Sequence, residues 1–382
     1  MRNALLISAV LTCAAAIAVG ASTGSGAPQG QLLEGKRLFE QATFGGNGRT
    51  CQTCHSLATG TVSPADAEKR IAKDPNDPLF VHDGSDDGQG HGTSRMRHDA
   101  TVLMTIRMAD NVQLADDPTA RTVVIARGIP TTLNTPALDP ILMLDGRQPT
   151  LESQASGAIQ DHAQGAVPDI AALNAIAAFQ KTNAFFSSSE VRRFALERGA
   201  PPVLPEGETE SEKRGRRFFE DVPPDPTDGL KPGLCSHCHS GPLLNQTNEF
   251  AKLFIPSPAP IPAGQRFISV GVSEFHRAGE REFIFNKDKS DEFHLISSDP
   301  GRALITGVIP QNDPTLEHVN AFKISALRGI SRTAPYFHDN SAKTLEDVAA
   351  HYARFFDFVT AGFIKLTAQD QADIVAYMKL LN

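Results

Sequence analysis

The sequence predicts a mainly α-helical chain of two similar domains with long irregular loops, and three observations carry that prediction. The chain has 382 residues, more than one ordinary hydrophobic core organises. The pentapeptide Cys-x-x-Cys-His occurs twice, as Cys51-Gln-Thr-Cys54-His55 and Cys235-Ser-His-Cys238-His239. A related run precedes each copy, Gly35-Lys-Arg-Leu-Phe39 and then Gly215-Arg-Arg-Phe-Phe219, so the pattern is an internal duplication. The 30 glycines and 26 prolines make many connections irregular. Apolar residues at 40% and charged residues at 21% give a globular composition. A formal charge of −8 argues against nucleic acid as a partner, because such binders carry a basic surface.

The N-terminus reads as a secretory signal peptide over residues 1–21. Arg2 precedes an apolar run from Ala4 to Val19, followed by the small residues Gly20-Ala21-Ser22. The run is short for a membrane span; an uncleaved anchor is the alternative, and a lipoprotein reading at Cys13 matches poorly. Cleavage removes Cys13 and leaves four of the five cysteines. No later stretch is long and apolar enough to cross a bilayer, so the mature chain is expected to be exported, without a membrane span.

The four remaining cysteines fall in the two pentapeptides, which is the attachment pattern of c-type haem. On a helical turn, positions i, i+3 and i+4 share one face. Two thiols can then bond the vinyl groups while the next imidazole reaches the iron. The alternatives are a single four-thiolate zinc site and two strained disulfides. The reading is two covalently bound haems, with His55 and His239 each giving one iron ligand, in cytochrome c-like domains spanning 22–198 and 199–382.

Other elements follow in order. The stretch His82-Asp-Gly-Ser-Asp-Asp-Gly-Gln-Gly-His91-Gly-Thr-Ser-Arg-Met96-Arg-His98 reads as a flexible glycine-dense loop. Its acids are a weak candidate cation site, and His82, His91, Met96 or His98 could cap the first iron. A helix is expected over Asp169 to Phe186, with Ile170, Leu173, Ile176, Ala177 and Phe179 on its apolar face. A Pro-rich linker covers 199–207, and 256–300 reads as loops with short strands. Later helices start at Thr344 and Thr367, each with Asp three residues on (Asp347, Asp370), a capping-box pattern.

The sixth ligands decide the chemistry, since a filled position favours electron transfer and an open one peroxide chemistry. No methionine lies between 144 and 377, which leaves His276, His294, His318, His338, His351 and Tyr352 as candidates for the second iron.

The segment Phe322-Lys-Ile-Ser-Ala-Leu-Arg-Gly-Ile-Ser-Arg-Thr-Ala-Pro-Tyr-Phe-His338, continuing to Tyr352, closely resembles the second domain of bacterial dihaem cytochrome c peroxidases and MauG-type enzymes. Asn134-Thr-Pro, Asp145-Gly-Arg147 and Leu151-Glu-Ser-Gln154 resemble their first domain. The resemblance implies a first, peroxidatic domain and a second, electron-transfer domain. Where the peroxidases have a methionine ligand, this chain has Tyr352, as MauG-type enzymes do; a core tyrosine is the alternative. The resemblance puts Gln154 on the peroxide side of the first haem, but Gln164 stands where relatives have glutamate. A neutral amide is a poor base, so Asp161 and His162 are candidate replacements, and His162 is preferred because an imidazole titrates near neutrality. Leu144 replaces a tryptophan that lies between the haems in relatives. The resemblance further implies calcium held by Asn134, Thr333 and Pro335; a turn-forming role is the alternative for Asn134.

The expected function is a periplasmic peroxidase of a Gram-negative bacterium, reducing hydrogen peroxide with electrons from a small cytochrome c or a cupredoxin. A MauG-type enzyme oxidising residues of a protein substrate is the second reading, and a non-enzymatic dihaem electron carrier the third. A homodimer is left open.

Overall fold

The computed structural model describes residues 27–183, 186–253, 261–286, 289–311 and 315–381. The expected signal peptide, with Cys13, lies outside the described residues.

Along the first half run α1 (Gln29–Gln41), α2 (Cys51–Cys54), α3 (Pro64–Lys73), α4 (Ser94–Asp99), β1 (Thr101–Arg107), β2 (Val112–Leu114), β3 (Thr122–Gly128), α5 (Leu151–Asp161), α6 (Ile170–Thr182) and α7 (Ser189–Glu197). The second half has α8 (Glu210–Arg216), β4 (Phe267–Ile268), α9 (Val272–Phe275), β5 (Arg281–Phe285), β6 (Phe293–Ser297), α10 (Ala303–Thr306), β7 (Phe322–Lys323), α11 (Leu345–Val359) and α12 (Ala368–Met378). Among the described residues no helix is long and apolar enough to cross a membrane.

The duplicated run has one structural meaning in both halves. Gly35 of α1 lies against α6, where a Cβ would sit 2.0 Å from the Ala175 carbonyl oxygen. Gly215 of α8 lies against α12, where a Cβ would sit 2.0 Å from the Asp373 carbonyl oxygen. Each glycine therefore lets two helix backbones touch, and the aromatic residues after it fill the core beneath. Phe39 packs edge-on to Phe186 at 5.2 Å, and Phe219 packs on Tyr377 at 5.3 Å.

The expected capping boxes are present. Asp347 N–H donates to Thr344 Oγ1 and Thr344 N–H to the Asp347 carboxylate; Thr367 and Asp370 repeat the exchange. Asp169 caps α6 by accepting from Ala172 N–H. That helix buries Leu173, Ile176, Ala177 and Phe179, but Ile170 is 65% exposed. Its first turn projects past the core, so the expected apolar face is one residue too long.

Strands contribute more than the helical expectation allowed. β1 and β3 form an antiparallel ribbon in which Val102, Met104 and Ile106 turn inward, as the two-residue period of a strand requires. β2 pairs with β5, and β5 with β6, in a sheet drawn from both halves. A core cluster likewise combines residues between Val62 and Ile129 with Phe283, Phe285, Ala303, Leu304 and Ile309. A second cluster packs α1, α5 and α6, and a third packs Phe218 and Phe219, just after α8, with α11 and α12. The loop 82–98 is only partly loop: His82–Gly84 is a 3₁₀ turn and Ser94–Asp99 is α4.

Candidate haem sites

Two apolar cavities lie side by side, one under each Cys-x-x-Cys-His turn. Cys51, Cys54 and His55 line the first; Cys235, Cys238 and His239 line the second. Gly128, Ile129, Pro130, Leu144 and Lys323 line both and form the shared wall. Leu144 thus stands between the cavities.

The two imidazoles are held alike. His55 Nδ1 lies 2.9 Å from the Gly60 carbonyl oxygen, and His239 Nδ1 lies 2.8 Å from the Leu244 carbonyl oxygen. A carbonyl only accepts, so Nδ1 carries the proton and Nε2 keeps its lone pair for a metal. Burial lowers both histidines, His239 to about 4, which keeps them neutral. Burial pushes the Cys51 and Cys238 thiols up to about 12 and raises Cys54 and Cys235 as well. All four are free cysteines, the two pairs line different cavities, and no group of three or more His, Cys, Asp or Glu able to hold a metal exists among the described residues. The two pairs therefore do not meet in one four-thiolate site, and the residues present fit covalent haem.

The first cavity has a polar wall. Gln154, Ala155, Ala158, Ile159 and His162 line it, at the spacing that puts residues on one face of α5. Gln164 does not join them. The helix ends at Asp161, the backbone at Gln164 turns to φ +51°, and the side chain is exposed and accepts from Asn47 Nδ2 at 3.2 Å. Asp161 is exposed too. His91 pairs with exposed Asp87, His98 bonds back to its own helix at Ser94, and Met96 is buried in the shared core; neither these nor His82 line the cavity. Met104, Met143 and Arg147 do.

Arg49 lines this wall as well, and Asp83 bonds His162 without lining the cavity itself. Asp83 Oδ2 lies 2.5 Å from His162 Nδ1, and Asp83 Oδ1 accepts from buried Arg49. Burial alone would raise the Asp83 carboxyl, but His162 and Arg49 outweigh it and hold the group below the usual carboxylate range. Asp83 and His162 are 79 residues apart, so no local pattern announces the pair.

The second cavity has an aromatic wall. Phe218, Phe219, Phe337, Phe355 and Phe356 line it together with Tyr352. Burial raises the Tyr352 phenol strongly, so a positive metal is what would favour its ionised form there. Of the other candidates only His338 lines the cavity, stacked on Phe322 at 3.6 Å. His351 turns its Nε2 to the Val270 carbonyl at 2.8 Å, His294 pairs with Glu282 at the surface, His318 faces Thr306 Oγ1, and His276 faces Asp339 at 3.7 Å.

The seam between the halves is polar and ordered. Arg127, 1% exposed, bonds Asp145 at 2.6 Å and Asp299 at 2.7 Å. Lys323 bonds Asp139 at 2.6 Å. Asn134 is buried; its Nδ2 donates to the Arg328 carbonyl at 3.0 Å and its Oδ1 accepts from Ser188 N–H at 2.8 Å. Thr333 and Pro335 line the second cavity. These bonds make Asn134 a clasp between the halves.

No family model matches the chain, and no curated protein matches it. Among solved structures, a MauG-like protein associated with microbial copper homeostasis superposes over 93% of this chain and 89% of its own, with 18% identity and a TM-score of 0.51. The diheme peroxidase BthA from Burkholderia thailandensis aligns over 93% of this chain and 86% of its own, with 16% identity and a TM-score of 0.45. The chain therefore has the fold of a MauG-like protein.

Proposed function

We propose that the chain is an exported dihaem c-type oxidoreductase of the dihaem peroxidase and MauG group, which reduces hydrogen peroxide with electrons from a small cytochrome c or cupredoxin. The observation that carries this reading is the pair of adjoining cavities, each with a Cys-x-x-Cys-His turn, finished differently on the side away from that turn. When bound, the haems supply iron that exchanges electrons and, in the first cavity, takes peroxide. The chain's own residues then divide the work. Cys51, Cys54, Cys235 and Cys238 would anchor the haems, while His55 and His239 would hold the irons through Nε2. In the first cavity Gln154 orients peroxide through its amide, and His162 Nε2 takes a proton from one peroxide oxygen and returns it to the other. A positioned group of this kind contributes about 10²–10⁴-fold. Tyr352 would hold the second iron through its phenol oxygen, which in anionic form would favour the oxidised states.

Tyr352 also favours the second reading, in which peroxide is used to oxidise residues of a partner protein. Leu144 in the shared wall rules out hopping through an indole at that position, so exchange between the haems would need direct tunnelling or another path. The test is spectroscopic and then kinetic. A high-spin, five-coordinate haem at rest and catalytic peroxide reduction with a reduced cytochrome support the peroxidase. Two low-spin haems unreactive to peroxide at every redox poise would leave an electron carrier.

A further inference from the structure

We propose that Asp83, gripped by Arg49, is a positioning residue that fixes the His162 ring with its proton on Nδ1 and its lone pair on Nε2, toward the first cavity. The proposal rests on the reading of His162 as the proton-transfer group. A carboxylate only accepts hydrogen bonds, so the 2.5 Å contact of Asp83 Oδ2 requires Nδ1 of His162 to donate. His162 lines the cavity, and Nε2 is the nitrogen left to face it. Without such a partner an imidazole exchanges tautomers and turns about its side-chain bonds.

The surroundings are built to hold this pair. Asp83 is 5% exposed and Arg49 is 2% exposed. Arg49 donates to the carbonyls of Pro78 (2.8 Å), Leu79 (3.0 Å) and Val81 (2.6 Å), and also to Asp83. The same guanidinium reaches the His162 carbonyl at 3.1 Å, and Asn47 Nδ2 reaches it at 2.9 Å. Both members of the dyad are thus pinned to one buried cation. The backbone wraps so closely that a Cβ at Gly84 would lie 1.9 Å from the Leu79 carbonyl oxygen. His82 Nδ1 stands 3.9 Å from Asp83 Oδ2, too far to compete for it. A structural ion pair would be complete with Arg49 and Asp83 alone, yet the second carboxylate oxygen is spent on His162. In hydrolase triads an aspartate in this relation fixes the tautomer, and its amide replacement costs about 10⁴-fold.

Cyanide and carbon monoxide separate this role from a structural one. Near neutral pH cyanide arrives as HCN and must give up its proton as its carbon binds ferric iron; His162 Nε2 takes that proton and passes it to water. Carbon monoxide binds the reduced protein with no proton transfer. Measured by stopped flow on the haem-loaded protein, Asp83→Asn is expected to slow cyanide binding about 100-fold and to change carbon monoxide binding less than about threefold. In the His162→Ala background the same change is expected to add nothing, because Asp83 acts through His162. Parental cyanide rates in Asp83→Asn, equal slowing of both ligands, or a full additional effect in the His162→Ala background would each overturn the proposal. Should the Asn variant fail to load haem, Asp83→Ser takes its place in the same cycle with the same expectations. If His162→Ala itself binds cyanide at the parental rate, the underlying reading of His162 falls; if only Asp83→Asn does, the Asp83 role alone falls.

Discussion

The two halves carry the same Cys-x-x-Cys-His turn beside the same glycine-dependent helix crossing, yet their cavities end in different chemistry. Beneath α5 the first cavity has an amide and an imidazole, the imidazole bonded to the carboxylate of a buried carboxylate–guanidinium pair. Beneath α11 the second has a phenol among phenylalanines. The repeat shares the Cys-x-x-Cys-His turn and leaves the rest of each cavity lining different. The difference teaches where to look for function in such a molecule: in the residues that the repeat does not share.

The largest effect that tests this comparison is loss of a cofactor. Cys51→Ala with Cys54→Ala, or Cys235→Ala with Cys238→Ala, is expected to remove one covalently attached haem, read by haem staining after denaturing electrophoresis. A pair that loses none would break the equivalence of the turns. Next is chemistry confined to one cavity. His162→Ala is expected to slow the first reaction with peroxide about 10²–10⁴-fold while the second haem keeps its absorption spectrum. Tyr352→Phe should do the opposite to the spectra and alter the second haem's bands; unchanged bands would remove Tyr352 as a ligand.

Smaller effects test the shared scaffold. Gly35→Ala and Gly215→Ala both drive a methyl into a facing carbonyl, so each is expected to cost about 1–3 kcal/mol or more in denaturant unfolding. A large cost in one half and none in the other would mean that the crossings are not equivalent. The smallest effect concerns pH. Burial alone would raise the Asp145 carboxyl, but Arg127 and Arg147 outweigh it and hold it below its ordinary value. A depressed folded pKa contributes stability that is present above the unfolded value, roughly 3.9, and is lost as pH falls through the folded one. Melting temperature should therefore fall with acid below about pH 4, and less steeply in Asp145→Asn.

Much of the molecule was legible because its signals are local. The haem turns, the repeated glycine run, the Thr344 and Thr367 caps and Tyr352 on the inward face of α11 all follow from spacings of a few residues. The β1–β3 ribbon was legible in principle, in the alternation of Val102, Met104 and Ile106, but a helical expectation passed over it. The glycine-dense segment around Asp83 read as mobile because composition reports backbone freedom, not what the backbone encloses.

The sequence by itself determined the two Cys-x-x-Cys-His turns and the capped helices, because turn spacing and capping depend on neighbours within a turn or two. Only the tertiary structure decided that Gln164 turns outward, that Leu144 stands in the wall of both cavities, and that Asp83 and Arg49 meet His162. Those outcomes depend on contacts between segments far apart in the chain, where burial forces each charge to find its partner across the fold rather than along it.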